Sequence, residues 1–89
     1  MKFAFSKMQT EVQALAGKYA DPKKRKELEQ AFFILRREFE HKPVQSQRVM
    51  ALIRAIIAAQ PGSTKAVNEF LRNPQVVNAM YSGNDYNFD

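Results

Sequence analysis

The four prolines of this 89-residue chain, Pro22, Pro43, Pro61 and Pro74, restrict its fold more than any other feature. Proline lacks an amide donor and its ring clashes with the preceding helical turn, so each must open a helix or lie in a connection. The stretches between them carry apolar residues at alternating steps of three and four, which lines one side of a helix. The expected product is a series of helical passes joined by proline-containing turns.

In the first pass Phe5, Met8, Val12, Leu15 and Tyr19 share a side, and Gly17 is expected to end the regular helix. A second helix starts at Asp21 and Pro22, because the carboxylate accepts first-turn amide hydrogens and proline needs no acceptor there, and it runs towards residue 40. Leu28, Phe32, Leu35 and Phe39 share its inner face, with Ala31 beside them. Pro43 disfavours helical geometry at Lys42, so the chain turns before a third helix from residue 44 or 45 to 59. Val49, Leu52, Ile53, Ile56 and Ile57 give that helix a broad apolar face, and it is expected to be the most buried of the set. Pro61 and Gly62 punctuate, Ser63 or Thr64 is expected to cap, and Val67, Phe70 and Leu71 mark a fourth helix that stops before Pro74. Asn73 and Pro74 repeat the cap-then-proline signal. A short extra turn from residue 74 to about 82 carries Val77, Met80 and Tyr81, with Gly83 as its terminator and residues 84–89 as an irregular tail. Tyr81 is expected to pack onto the bundle, with Tyr86 and Phe88 in partial contact and accessible to a partner.

Short connections favour antiparallel neighbours, which makes the expected fold all-α: an antiparallel four-helix bundle with a short extra C-terminal helical turn and an aromatic tail, in one domain over residues 1–89. An open three-helix arrangement with a docked tail is the alternative. The hydrophobic content of 45% suits a packed core of this size. At this length roughly 60% of the unfolded surface is buried, which leaves little area for a deep substrate pocket. The absence of cysteine removes disulfides, thiolate metal sites and cysteine nucleophiles, and suits a reducing compartment. The opening MKFAFSKMQTEV holds no apolar stretch of signal-peptide length, and residues 49–59, interrupted by Arg54, fall far short of the ~20 residues of a membrane span. A cytoplasmic chain without a transmembrane segment is expected.

Chemistry is sparse. Glu27, Glu29, Glu38 and Glu40 are interleaved with lysine and arginine on one helix, where surface pairing is the plainer reading. His41 is the single histidine, at an expected turn, with no second histidine or cysteine to help it hold a metal. Ser6, Ser46 and Ser63 lack a nucleophile-elbow context, and the isolated glycines form no phosphate-cradling loop. No catalytic residue, metal site or cofactor is expected, and the chain is read as a binding protein and not an enzyme.

The net charge of +5 is uneven, since all 14 lysines and arginines precede residue 73. Lys23, Lys24, Arg25 and Lys26 form the densest cationic run, at the start of the second helix, with Arg36 and Arg37 farther along it. Cations there oppose the helix dipole by about 0.3–1 kcal/mol each when exposed, so stability alone would place them elsewhere. A solvated face is the plain reading; nucleic acid, an anionic membrane surface or an acidic protein are the functional ones. A helix-turn-helix mode is poorly served, because the third helix presents Arg48 and Arg54 but few amide side chains for base edges. Phe33 projects roughly opposite the Leu28–Phe32–Leu35–Phe39 stripe, among Lys26, Glu29, Arg36 and Arg37, and is either covered by a neighbouring helix or the C-terminal tail, or is a partner contact.

The short basic helical layout, the segment DPKKRKELEQAFFILRREFEHK and the aromatic end AMYSGNDYNFD resemble the immunity proteins of class IIa bacteriocins, particularly the enterocin A immunity type, over about residues 19–89. The resemblance implies a cytosolic antiparallel four-helix bundle that protects the producing cell when the bacteriocin engages its sugar-transporter receptor in the membrane, so the protein would stand in the cytoplasm or at the inner membrane face. It implies no catalysis. In that family the C-terminal half governs which bacteriocin is countered, and the matching positions here are Tyr81, Tyr86 and Phe88. The chain differs from many members in lacking tryptophan there.

Overall fold

Three of the prolines stand at the first position of their elements: Pro22 opens the second helix, Pro61 a 3-10 turn and Pro74 the last helix. The structure, a computed structural model, describes residues 2–41 and 44–81. Lys42, Pro43 and residues 82–89 lie outside the described residues, and with them the expected turn at Pro43, the terminator Gly83, and the tail with Tyr86 and Phe88. The described chain is all-α: α1 (Lys2–Tyr19), α2 (Pro22–Glu40), α3 (Ser46–Ala59), a 3-10 turn (Pro61–Ser63), α4 (Thr64–Arg72) and α5 (Pro74–Tyr81).

Local chemistry sets the boundaries. Asp21 Oδ1 accepts the Lys24 N–H at 2.8 Å and starts α2 as expected. Asn73 Oδ1 accepts the Gln75 N–H at 2.9 Å and begins α5 the same way. Gly17 does not end α1, which continues to Tyr19, and the Ala20 N–H bonds to the Ala16 carbonyl at 2.9 Å to complete the last turn. Ser63 and Thr64 do not cap α4 with their side chains. Their hydroxyls donate backward, to the Gln60 carbonyl at 2.7 Å and the Pro61 carbonyl at 3.1 Å, and so tighten the 3-10 turn that enters α4.

One continuous core joins all five helices. α2 packs most extensively on α3, while α1 lies against α4 and α2, and α5 against α4. Leu28, Ala31, Phe32, Leu35 and Phe39 are buried, as their spacing requires, and burial of each large one contributes about 2 kcal/mol before entropy is counted. Phenylalanines link three helices edge to face: Phe5 meets Phe32 at 6.1 Å and Phe70 at 5.9 Å, and Phe70 meets Phe39 at 5.6 Å between ring centroids.

Three burial expectations need correction. In α1 the buried stripe is Phe5, Met8, Val12 and Ala16; Leu15 is half-buried and Tyr19, in the last turn, is 74% exposed. α3 is not the most buried helix, for Val49, Ile53 and Ile56 are buried but Leu52 and Ile57 are half-covered, and Ala51, Ala55 and Ala58 face solvent. In α5 the core residues are Val76, Ala79 and Met80, so Val77 and Tyr81 fall on the outer side.

Candidate interaction surfaces

The outer side of α2 follows from its inner side. With Leu28, Phe32, Leu35 and Phe39 facing the core, the residues at 26, 30, 33 and 37 fall in line roughly opposite, at about 100° per residue. Lys26, Gln30, Phe33 and Arg37 are all exposed. Phe33 is 65% exposed, so no neighbouring helix covers its ring, and the tail, the other candidate cover, lies outside the described residues. The Arg37 guanidinium carbon lies 5.9 Å from the ring centroid, close enough for a cation–π contact of about 0.5–1 kcal/mol at an exposed site. Ile34, the next residue and about 100° farther round the helix, is also exposed. Arg36 pairs along the helix with Glu40 at 3.8 Å.

Lys23, Lys24, Arg25 and Lys26 occupy the first turns of α2 and are all exposed. Four consecutive helical residues cover about 300° of circumference, so these cations ring the helix end and do not form a stripe along it. Among the described residues none of the four is in an ion pair, and Glu27 and Glu29 do not come within pairing distance of Lys23 or Arg25. Lys18 and Lys65 stand at the same end, for both line a groove that also holds Leu15 and Gly62.

That groove, of about 560 Å3, runs between α1 and α4 over Ala14, Leu15 and Ala66, and the Lys7–Glu69 pair at 3.7 Å borders it. Sequence reasoning missed it. The available signal was the small residues Ala14 and Ala66 beside the buried stripes of α1 and α4, which leave room where larger side chains would close the gap. A second groove, of about 460 Å3, is lined by Ser46, Gln47, Met50 and Arg54 of α3 and by Tyr81 of α5. Tyr81 does not pack onto the bundle as expected but is 67% exposed at the rim of that groove, because Val76, Ala79 and Met80 take the inner side of α5.

The acidic residues of α2 divide. Glu27, Glu29 and Glu40 are exposed, whereas Glu38 is buried and its Oε1 lies 3.6 Å from Arg48 Nη1 on α3. Surface pairing therefore does not describe Glu38. His41 is exposed at the end of α2, where its backbone N–H donates to the Glu38 carbonyl at 3.2 Å. Among the described residues no three histidine, aspartate or glutamate side chains come together as a metal site, and no helix is long and apolar enough to cross a membrane.

Phe33 and Arg37 are thus brought together on α2, Lys26 lies on the same side about two turns earlier, Arg36 points to a different side of the same helix, and Tyr81 sits apart against α3. No family model, curated protein or solved structure matches the chain.

Proposed function

We propose that this chain is a non-enzymatic binding module, arranged as an antiparallel four-helix bundle with α5 added at its C-terminal end, that captures an acidic protein partner on the outer face of α2. The observation that carries this reading is the exposed Phe33 ring with the Arg37 guanidinium 5.9 Å from its centroid, on a helix side that also carries exposed Lys26. An exposed phenylalanine beside arginine has the make-up of an interface anchor, and anchors of this kind cost about 2 kcal/mol or more of binding when truncated. The flanking cations favour a partner whose rim carries carboxylates, and they would speed its approach.

A bacteriocin immunity role, in the cytoplasm at a membrane receptor complex, is the member of this class that the family-like layout supports. Exposed Tyr81 is available for it, and Tyr86 and Phe88 would act with it. Expression in a bacteriocin-sensitive host, challenged with a panel of class IIa bacteriocins, tests the reading: survival with the intact chain and killing with Phe33→Ala or with residues 84–89 deleted is the expected result. Unchanged killing with the intact chain across the panel would remove the immunity role. A pull-down against acidic protein partners that shows no dependence on Phe33 would remove the α2 interface.

Nucleic-acid binding is the second reading, favoured by the exposed and unpaired cations at 23–26. It requires binding that weakens steeply with added salt. A gel-shift titration at two ionic strengths, repeated with Lys23, Lys24 and Arg25 changed to glutamine, separates it from the first.

A further inference from the structure

We propose that the end of the molecule formed by the C-terminus of α1 and the first turns of α2 docks end-on against a bilayer that carries anionic lipid headgroups. Lys23 to Lys26 lie within about 4.5 Å along the helix axis and encircle it, so their charge is presented from the helix end and not along one side. Lys18, one turn before α2 begins, and Lys65, across the α1–α4 groove, extend the same cationic end. Asp21, Glu27 and Glu29 stand beside them, and Asp21 Oδ1 is engaged by the Lys24 N–H. Tyr19, the last residue of α1, is the most exposed large hydrophobic among the described residues and stands in sequence between Lys18 and the cation ring.

That composition selects among anionic partners. A duplex or an extended acidic peptide is gripped by a row of cations along a helix, each meeting a successive phosphate or carboxylate. A ring of cations around a helix end, with an aromatic ring at the same level, fits a flat anionic surface. There the lysines and arginines meet headgroups, and the tyrosine ring enters the interfacial layer, which favours amphipathic aromatics. Lys23 to Lys26 occupy about 4.5 Å of helix axis, less than the Debye length of about 8–10 Å at physiological salt, so they act together on a flat surface. In this orientation the bilayer meets the end of α2 while the Phe33 face runs away from it, so a protein partner would remain free to bind. The inference does not depend on the Phe33 reading, because its test contains no protein partner.

Flotation of the intact chain with vesicles of phosphatidylcholine and phosphatidylglycerol in equal parts, against phosphatidylcholine alone, is the direct experiment. We expect flotation with the mixed vesicles, none with the neutral ones, and release on raising the salt. Changing Lys23, Lys24 and Arg25 together to glutamine should lower the partition coefficient roughly a hundredfold, at about fivefold per removed cation. Tyr19→Ser should lower it several-fold at unchanged salt dependence, and Phe33→Ala should leave it unaltered. All these residues are exposed, so the far-ultraviolet circular dichroism of each variant should match the parent. Absence of flotation with anionic vesicles would overturn the proposal, as would equal flotation with neutral ones. Flotation unaffected by Tyr19→Ser would overturn the end-on orientation, and displacement of the chain from the vesicles by equimolar duplex DNA would assign the cations to nucleic acid instead.

Discussion

Arg48 on α3 holds Glu38 on α2 at 3.6 Å, yet the two ends of this ion pair stand in different media: the arginine side chain is 61% exposed and the glutamate side chain 10%. The second carboxylate oxygen, Oε2, is buried with no hydrogen-bond partner. The pair ties together the two helices that share the largest contact, near the end of α2 where the chain turns towards α3. The carboxylate has lost most of its water and recovered one cation, an arrangement that specifies which side of α2 meets α3 more than it stabilises the contact.

The two halves of this pair should therefore respond differently to substitution. Arg48→Ala leaves a largely buried carboxylate without its cation and should cost about 1–2 kcal/mol, the scale of an uncompensated buried polar group at a partly wet site. Glu38→Met removes the charge and the unpartnered oxygen together and should be close to neutral or stabilising. Urea unfolding of the two variants and of the double variant gives the comparison. Equal losses from both single substitutions would contradict this account.

At the other end of α2, Asp21 accepts the Lys24 N–H at an exposed helix start surrounded by four cations. Asp21→Ala removes both the cap and the nearest negative charge, and we expect a loss of about 1 kcal/mol or slightly more. Asp21→Asn keeps the cap and should recover most of it. Because the remaining contribution is electrostatic at an exposed site, the gap between the parent and Asp21→Asn should narrow as salt is raised. Thermal unfolding at low and high ionic strength measures this, and a gap that persists at high salt would show that the charge has no part in it.

Gly17 offers the opposite sign. It lies inside α1, exposed, and a Cβ built on it meets nothing within 4 Å. Its backbone is not in the left-handed region that would favour glycine. Gly17→Ala should thus stabilise the protein by about 0.5–1 kcal/mol, through lower entropy of the unfolded chain and better helix propensity. A destabilised variant in a denaturant titration would show that glycine is needed there.

The same residue shows where sequence reading stops. Glycine near the end of a periodic stretch is a good stop signal, but here the Ala20-to-Ala16 hydrogen bond carries the helix past it, and the stop falls at the Asp21–Pro22 signal instead. Prolines and caps were legible because their chemistry acts within four residues. The inner face of α2 was legible because five apolar positions fix its azimuth. Tyr19 was misread because azimuth says nothing of position along the axis, and Val77 and Tyr81 because eight residues of α5 present two adjacent apolar faces that spacing does not rank. At the candidate site, Phe33 was placed correctly on the outer side of α2, but whether a neighbour covered it depended on packing between helices, as did the burial of Glu38. The α1–α4 groove and the encirclement of the α2 end by cations required the three-dimensional arrangement.

Phe70 should be the most sensitive position of the core. Its ring meets Phe5 of α1 at 5.9 Å and 75°, and Phe39 of α2 at 5.6 Å and 90°, so one α4 side chain fixes the spacing of three helices. Phe70→Ala removes a fully buried ring and should cost about 3–5 kcal/mol, a large part of the 5–15 kcal/mol that holds a typical domain folded. Phe70→Leu keeps most of the apolar volume and loses the two edge contacts, which are worth about 0.5–1.5 kcal/mol each, so its loss should be smaller, near 1–2 kcal/mol. Phe33→Ala is the control: its exposed ring should contribute less than about 0.5 kcal/mol to folding even though the proposed partner depends on it. At about 4–8 °C per kcal/mol for a domain of this size, calorimetry should place the three variants in a clear order, with Phe33→Ala nearest the parent and Phe70→Ala lowest. If Phe70→Leu melted as low as Phe70→Ala, the aromatic contacts and not the buried volume would dominate at this site. If Phe33→Ala melted several degrees below the parent, its ring would be part of the folded core and the α2 interface would lose its main support.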